Sequence, residues 1–303
     1  MEYTRALTAT LLAGLVAIQS FAQSETGPAS RLLDCGLGMG LQVERGPWLS
    51  NADWQRMLPG SSLLRDDLPA RSDGFFNAYG YRPGLRDVGQ SIGMGMVSGH
   101  ASLRLGKANL DGRYQEKLRL GIVYAGSEYV EEVWSRASTA AYDTLVSVQT
   151  GQLYVLDTTY RDTYSASLTR SRIGIEGTYI AHRITTSRFS WFVGIGLQAG
   201  MTTGGEATVS RYVTRNEERY HEGYRSTFET LGEERFRTAA SGYGGLHGLF
   251  GLDLRLGKKS PFWSALHLYS EMRPSILAVS MPSLPSRVIG SWQMLSGLRV
   301  DLR

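Results

Sequence analysis

Two histidines in the C-terminal third of the chain form the arrangement that is most similar to a catalytic site. His247 and His267 fall on the polar side of two neighbouring segments, with Asp253 and Glu271 close to them in the sequence. A carboxylate that orients a histidine can turn it into a general base. No nucleophile accompanies the histidines at a recognisable spacing, and no third metal ligand can be assigned. We therefore predict a polar pair with no catalytic, cofactor-binding or metal-binding role.

Charged residues of both signs share the polar side of these and other segments. The set comprises Asp34, Glu44, Arg119, Arg170, Arg172, Glu176, Asp253, Arg255, Glu271, Arg273, Arg299 and Asp301. An isolated charge in a narrow interior costs several kcal/mol unless it is paired or solvated. Because opposite signs alternate, we expect these residues to form ion pairs that plug the interior of a barrel. A conducting interior is the alternative.

The elements that must position these residues are strands, because apolar and polar residues alternate with a period of two. In the first of them, Leu33 to Val43, the odd positions are apolar and the even positions are glycine or polar. Seven further segments alternate in the same way, at 90–105, 117–127, 167–181, 189–201, 242–256, 262–273 and 288–302. In 90–105 the apolar residues change parity, which predicts a β-bulge near Ser98–Gly99 with Met94 and Met96 on the apolar face.

Eight such segments predict an all-β fold, an eight-stranded antiparallel up-and-down transmembrane β-barrel with long extracellular loops. Glycine concentrates on the polar side, as a narrow interior requires, and aromatic residues lie near the strand ends. The connections at 45–89, 128–166 and 202–241 are long and that at 274–287 is of medium length, whereas those between them are short. A soluble barrel with its apolar face turned inward is the alternative.

The long connections are where a specific role is expected to reside. Residues 142–149 and 152–160 flank Thr150–Gly151 and predict a hairpin that extends beyond the membrane. Residues 217–237 are rich in charge and aromatics, which suits either binding of a glycan or partner protein or a solvated loop. Aromatic residues of the first loop are predicted to pack as a cap over the barrel mouth. They are Trp48, Trp54, Phe75, Phe76, Tyr79 and Tyr81.

The beginning of the chain predicts export. Arg5 precedes an uncharged apolar run at 6–18, and Ser20–Ala22 supplies the small residues of a cleavage site, so residues 1–22 are predicted to be a cleaved signal peptide. Residues 23–303 then form the barrel domain. The formal charge of +4 is small and dispersed, which does not imply nucleic acid. The single cysteine, Cys35, excludes an internal disulfide framework.

The predicted signal ending SFAQ, the glycine-rich strands and the closing GSWQMLSGLRVDLR resemble the small outer-membrane β-barrel proteins of Bacteroidota. More broadly the chain is similar to the OmpA/OmpX-like eight-stranded barrels, although it ends on Arg303 rather than on an aromatic residue. The resemblance implies the outer membrane of a diderm bacterium and contact with lipopolysaccharide. We predict a structural or interaction role through the loops, with an envelope protein or a glycan as partner. A lipid-modifying enzyme and a narrow channel or small-ligand transporter are the alternatives.

Overall fold

The computed structural model describes residues 32–45, 49–66, 68, 91–105, 114–183, 185, 187–219, 223–281 and 283–302. The predicted signal peptide lies outside these residues. The strands are β1 (Leu32–Arg45), β2 (Ser91–Arg104), β3 (Tyr114–Val146), β4 (Leu153–Arg183), β5 (Phe189–Thr202), β6 (Glu206–Arg219), β7 (Gly223–Arg237), β8 (Ser241–Arg255), β9 (Leu266–Met281) and β10 (Leu284–Asp301). The helices are α1 (Asn51–Met57) and α2 (Pro261–Ala265). None of the helices in this part of the chain is long and apolar enough to cross a membrane.

All the strands belong to one antiparallel sheet, which confirms the predicted all-β antiparallel class. The pairing runs β1–β2–β3–β4–β5–β8–β9–β10 and returns to β1, so these eight strands form a ring of pairings, which we call the ring. β6 pairs with β4 at 158–169, which lies nearer the turn between β3 and β4 than the residues of β4 that pair with β5. We call the end of the ring on this side its upper end. β7 pairs with β6. Within the described residues the structure therefore has ten strands where eight were predicted, because the predicted loop 202–241 contains β6 and β7.

The ring has apolar side chains on its outer side and charged side chains on its inner side. Leu41, Ile122 and Ile195 are exposed, whereas Arg119 and Arg273 are fully buried. A soluble barrel would bury the apolar side chains instead. The alternation along each strand therefore directs polar residues into the ring, as the transmembrane prediction requires.

β2 departs from the prediction. Its pairing with β1 and with β3 runs without a register shift through Ser98 and Gly99, so the predicted bulge is wrong. Met94 and Met96 are buried inside the ring rather than on its apolar outer side. Met96 packs with Val123 and Leu295 there. Methionine fills irregular interior gaps well because its side chain is unbranched and flexible, so its apolar character did not reveal the direction in which it points.

Glycine makes room for the large side chains inside the ring. Phe192 is fully buried and lies directly opposite Gly251 on the neighbouring strand. A Cβ atom on Gly251 would lie 2.1 Å from Cζ of the Phe192 ring, far inside contact distance. Phe192 is the one bulky residue on the predicted polar side of β5, and the missing side chain of Gly251 is what accommodates it.

Above the ring, β3 and β4 continue as a hairpin and carry β6 and β7 beside them. We call this four-stranded sheet the platform; it comprises residues 128–146, 153–169, β6 and β7. The predicted hairpin is confirmed, and Gly151 takes a positive φ of 68° at its turn. The predicted medium loop at 274–287 is instead mostly strand, because β9 and β10 pair nearly to their turn.

The platform has a hydrophobic core of its own. Trp54 of α1 is fully buried against one face of the sheet, in a cluster with Trp134, Leu168 and Val209. The cluster also includes Leu284 at the upper end of β10, so it reaches down to the ring. Of the aromatic residues predicted to cap the barrel mouth, Trp54 packs on the platform, and the other five lie outside the described residues.

Candidate functional site

The inside of the ring is the most distinctive site in the molecule, and its ion pairs lie in three layers. In the upper layer Arg172 of β4 bridges two carboxylates, with Nη1 at 2.5 Å from Glu44 Oε1 and Nη2 at 2.9 Å from Glu128 Oε1. Arg170 Nε lies 2.8 Å from Glu128 Oε2. All four side chains are buried.

Glu128 was not among the predicted interior residues. The inward positions of β3 are odd up to Ala125 and even from Glu128, because the register with β4 shifts between these two residues. A bulge of this kind reverses the side chains of one strand relative to the strand's earlier half. Since the predicted strand ends at Ser127, the carboxylate just beyond it falls in the predicted loop 128–166.

The middle layer is a chain of four charges that crosses the ring. Arg119 Nη1 of β3 lies 2.7 Å from Glu271 Oε2 of β9. Glu271 also pairs with Arg273, whose other amino nitrogen lies 2.5 Å from Glu176 Oε2 of β4. Their side chains are at most 1% exposed, so the layer is shielded from solvent. Arg119 also stacks over the Phe192 ring at 5.5 Å.

The lower layer lies where β1 begins and β10 ends. Lys117 Nζ is 2.7 Å from Asp34 Oδ2, and Arg299 Nη1 is 3.0 Å from Asp253 Oδ2. His267 contacts Asp253 through Nδ1 at 2.5 Å. Its Nε2 lies 3.2 Å from Asp301 Oδ2. The predicted carboxylate–histidine pair thus exists as His267 with Asp253.

His247 and His267 are both buried inside the ring but do not meet. On β8 and β9, His247 lies opposite Ser275, and His267 lies opposite Arg255. Eight residues along β8 correspond to about 26 Å at a rise of about 3.3 Å per residue. His247 Nε2 instead lies 2.9 Å from Thr178 Oγ1. The two histidines therefore belong to separate polar clusters.

A further histidine contact, that of His182 with Ser190, was not predicted. His182 Nε2 lies 2.9 Å from Ser190 Oγ, across the short turn that joins β4 to β5. The two residues flank the short connection at 182–188, so their closeness could have been inferred from a tight hairpin. Within the described residues, no group of three or more His, Cys, Asp or Glu side chains is arranged to hold a metal ion.

The platform stacks arginine on tyrosine side chains in two pairs, in which the Tyr160 ring is exposed and the Tyr164 ring is buried. Arg211 lies over the Tyr164 ring at 5.1 Å, and Arg215 lies over the Tyr160 ring at 5.4 Å. Arg211 also donates two hydrogen bonds to Asp162, at 3.1 and 2.9 Å. The charged segment 217–237, predicted to be a loop, is largely the paired strand β7. Its composition reflects an exposed edge strand, where charged residues prevent unwanted pairing.

Two carboxylates attach the segment around α1 to the sheet. Asp53 accepts from the Ser50 backbone N–H at 2.9 Å and lies 2.8 Å from Arg287 Nη2. Burial alone would raise the pKa of Asp53, but the hydrogen bonds from Ser50 and the Arg287 guanidinium lower it overall. Glu234 on β7 accepts from the Ser61 hydroxyl at 2.5 Å and from the Ser62 N–H at 3.0 Å. Partial desolvation of Glu234 would raise its pKa, but these hydrogen-bond donors hold the pKa below its ordinary value.

No protein-family model and no curated protein matches the chain. Similar solved structures include Neisserial surface protein A, 11% identical with a TM-score of 0.36, covering 91% of this chain and 99% of that one. Another is Ail, the attachment invasion locus protein of Yersinia pestis, in complex with the heparin analogue sucrose octasulfate, at 9% identity and a TM-score of 0.24, with coverages of 88% and 98%. A FadL homologue of Pseudomonas aeruginosa is 7% identical, with a TM-score of 0.20 and 91% of each chain covered. These are outer-membrane β-barrel proteins, but TM-scores this low carry no argument about the role of this chain.

Proposed function

We propose that the chain is an integral outer-membrane β-barrel protein whose eight ring strands cross the bilayer and hold the platform outside the cell. The observation that carries the proposal is the distribution of side chains, apolar outside the ring and ionic inside it. In water, so continuous an apolar surface would drive aggregation. In a bilayer it is the surface that lipid requires.

The height of the apolar band supports this proposal. On β5 the outward residues from Trp191 to Met201 are apolar over ten residue steps. At about 3.3 Å per residue and a tilt of about 40°, they span about 25 Å along the membrane normal, the height of a typical barrel band. Exposed aromatic residues lie near both ends of the ring strands, as expected for residues at the two lipid–water interfaces. They include Tyr124, Tyr179, Phe189, Trp263 and Trp292.

The role that we propose is structural or interactive rather than catalytic. The three layers of ion pairs occupy the space inside the ring, which favours a plugged barrel over an open channel. Planar-bilayer recordings of the purified protein should show no discrete conductance steps, whereas regular steps would contradict the plug. The platform offers the exposed Tyr160 ring with the Arg215 guanidinium stacked on it, a combination suited to a glycan or to an acidic partner protein.

Topology can be tested by cysteine labelling of intact cells. Cys35 is first replaced by alanine, and a single cysteine is then placed at Val148, which is fully exposed at the platform tip, or at Lys259, in the turn at the opposite end of the ring. A membrane-impermeant maleimide should label Val148→Cys on intact cells. It should label Lys259→Cys only after the outer membrane has been permeabilised. Equal labelling of both variants, or the reverse order, would refute the proposed orientation.

The barrel itself can be tested on gels. The purified protein should migrate differently in SDS before and after boiling, because closed barrels resist the detergent until they are heated. Identical migration of both samples would count against a membrane barrel.

A further inference from the structure

The lower end of the ring contains a cavity of about 260 Å³ whose lining residues come from all eight ring strands. Three aspartates face it, Asp34, Asp253 and Asp301. Each of them is already in contact with a basic side chain, namely Lys117, Arg299 or His267. The carboxylates of the cavity are therefore occupied by partners from the lower ionic layer.

Two arginines of the same cavity have no such partner. Arg104 continues the inward-facing positions of β2, and Arg255 continues those of β8. These strands lie four apart in the ring, so the two guanidinium groups approach the cavity from opposite walls. The Nε atom of each is buried without a hydrogen-bond partner, and neither side chain forms an ion pair with any described residue.

Other groups at the cavity add donors. Arg188, on the exposed turn between β4 and β5, also lines it and carries a further positive charge. The Ser190 hydroxyl, held by His182 at 2.9 Å, lies in the same wall. A half-buried guanidinium with open donor positions is costly unless a counter-charge satisfies it.

We propose that this cavity is a binding site for a phosphate group, gripped between Arg104 and Arg255. A guanidinium presents paired donors that match two oxygens of a phosphate, and the charge-assisted hydrogen bonds are about twice as strong as neutral ones. The cavity is smaller than the roughly 300–1,000 Å³ of pockets that enclose larger ligands, which fits a single phosphate ester. Two sources share this chemistry, a soluble phosphate compound and the headgroup of an anionic phospholipid.

The binding site itself does not depend on the proposed membrane topology. With the proposed topology the cavity opens to the periplasm, and this placement alone rests on the proposed function. The labelling experiment tests that topology, and a binding measurement on purified protein tests the site, so the two can fail separately.

The binding experiment uses full-length protein in a maltoside detergent, which contains no phosphate. Inorganic phosphate is titrated into the wild type by calorimetry. In a second arm, the protein is mixed with phosphatidylglycerol or with phosphatidylcholine, and native mass spectrometry counts the lipids retained. The variants are Arg104→Gln, Arg255→Gln and the double substitution. The matched control is Lys259→Gln, which makes the same charge change on an exposed turn at the same end, away from the cavity.

Each single substitution should weaken phosphate binding by about tenfold, as loss of a hydrogen bond between charged groups predicts. The double variant should show no binding, and Lys259→Gln should bind like the wild type. Retention of phosphatidylglycerol that depends on both arginines, without binding of free phosphate, would identify the lipid headgroup as the source. No arginine-dependent binding in either arm, or equal weakening by Lys259→Gln, would overturn the proposal.

Discussion

Replacing Arg273 by methionine should destabilise the folded ring by about 3–5 kcal/mol, the cost of leaving a buried charge without its partner. Arg273 is fully buried and joins Glu176 to Glu271. In the variant Glu271 keeps Arg119 as its partner. Glu176, with no other ion pair among the described residues, becomes an uncompensated carboxylate in a fully buried site.

The same reasoning predicts that a second substitution restores part of the lost stability. In the double variant Glu176→Met/Arg273→Met, both ends of the broken pair are apolar and have similar length to the residues they replace. Neighbours of this kind couple by about 0.5–3 kcal/mol, so the double variant should be more stable than Arg273→Met by about 2 kcal/mol. A simple loss of packing would instead make the double variant the less stable of the two.

Urea unfolding in detergent micelles, followed by tryptophan fluorescence, measures these differences. Arg235→Met is the matched control, because Arg235 is 68% exposed on the platform and its surface ion pairs should contribute less than about 1 kcal/mol. The reasoning is refuted if Arg273→Met unfolds at the same urea concentration as Arg235→Met. A double variant no more stable than Arg273→Met would refute it as well.

Three further perturbations test the packing and the attachment of α1. Gly251→Val should lower the urea midpoint, because even a Cβ atom would overlap the Phe192 ring; an unchanged midpoint would contradict that contact. Trp54→Ala should cost about 3–5 kcal/mol locally and speed proteolysis within residues 49–68, while heat-modifiable gel migration stays as in the wild type. The lowered pKa of Glu234 implies a stabilising contribution that is present above the ordinary value of about 4.3 and is lost as pH falls through the lower folded value. The protection of Ser61 and its neighbours against hydrogen exchange, relative to the intrinsic rate at each pH, should therefore fall below about pH 4, and Glu234→Gln should show the lower protection already at neutral pH.

The ring strands could be predicted because the outer and the inner side of the ring impose opposite demands on alternate residues. Leu33 to Val43 shows this alternation without exception, and β1 spans it. The predicted interior charges were placed correctly for the same reason. Their partners could not be predicted, since Arg119 and Glu271 lie 152 residues apart and meet across the ring only through the stagger of its strands.

The platform could not be predicted from the sequence because its strands do not show the apolar alternation of the ring strands. Its sheet buries only part of one face under a short helix, and beyond that cluster its strands are polar on both sides. The stretch RASTAAYDT within β3 has no apolar alternation. Its strand conformation follows from pairing with β4, which a single sequence does not reveal. The bulge between Ala125 and Glu128 also breaks the parity where the ring ends.

The continuity of β3 and β4 has a mechanical consequence. Each strand runs without interruption from the lower end of the ring to the platform, over 33 and 31 residues. Hydrogen bonds in an antiparallel ladder lie perpendicular to the strands, so a pull on the hairpin tip along the strand axis loads the ladders to β2 and β5 in shear. Many bonds must then yield together rather than one after another. With the proposed topology the platform is therefore anchored through two continuous strands, and a pull on its tip is resisted by the ladders to β2 and β5 together.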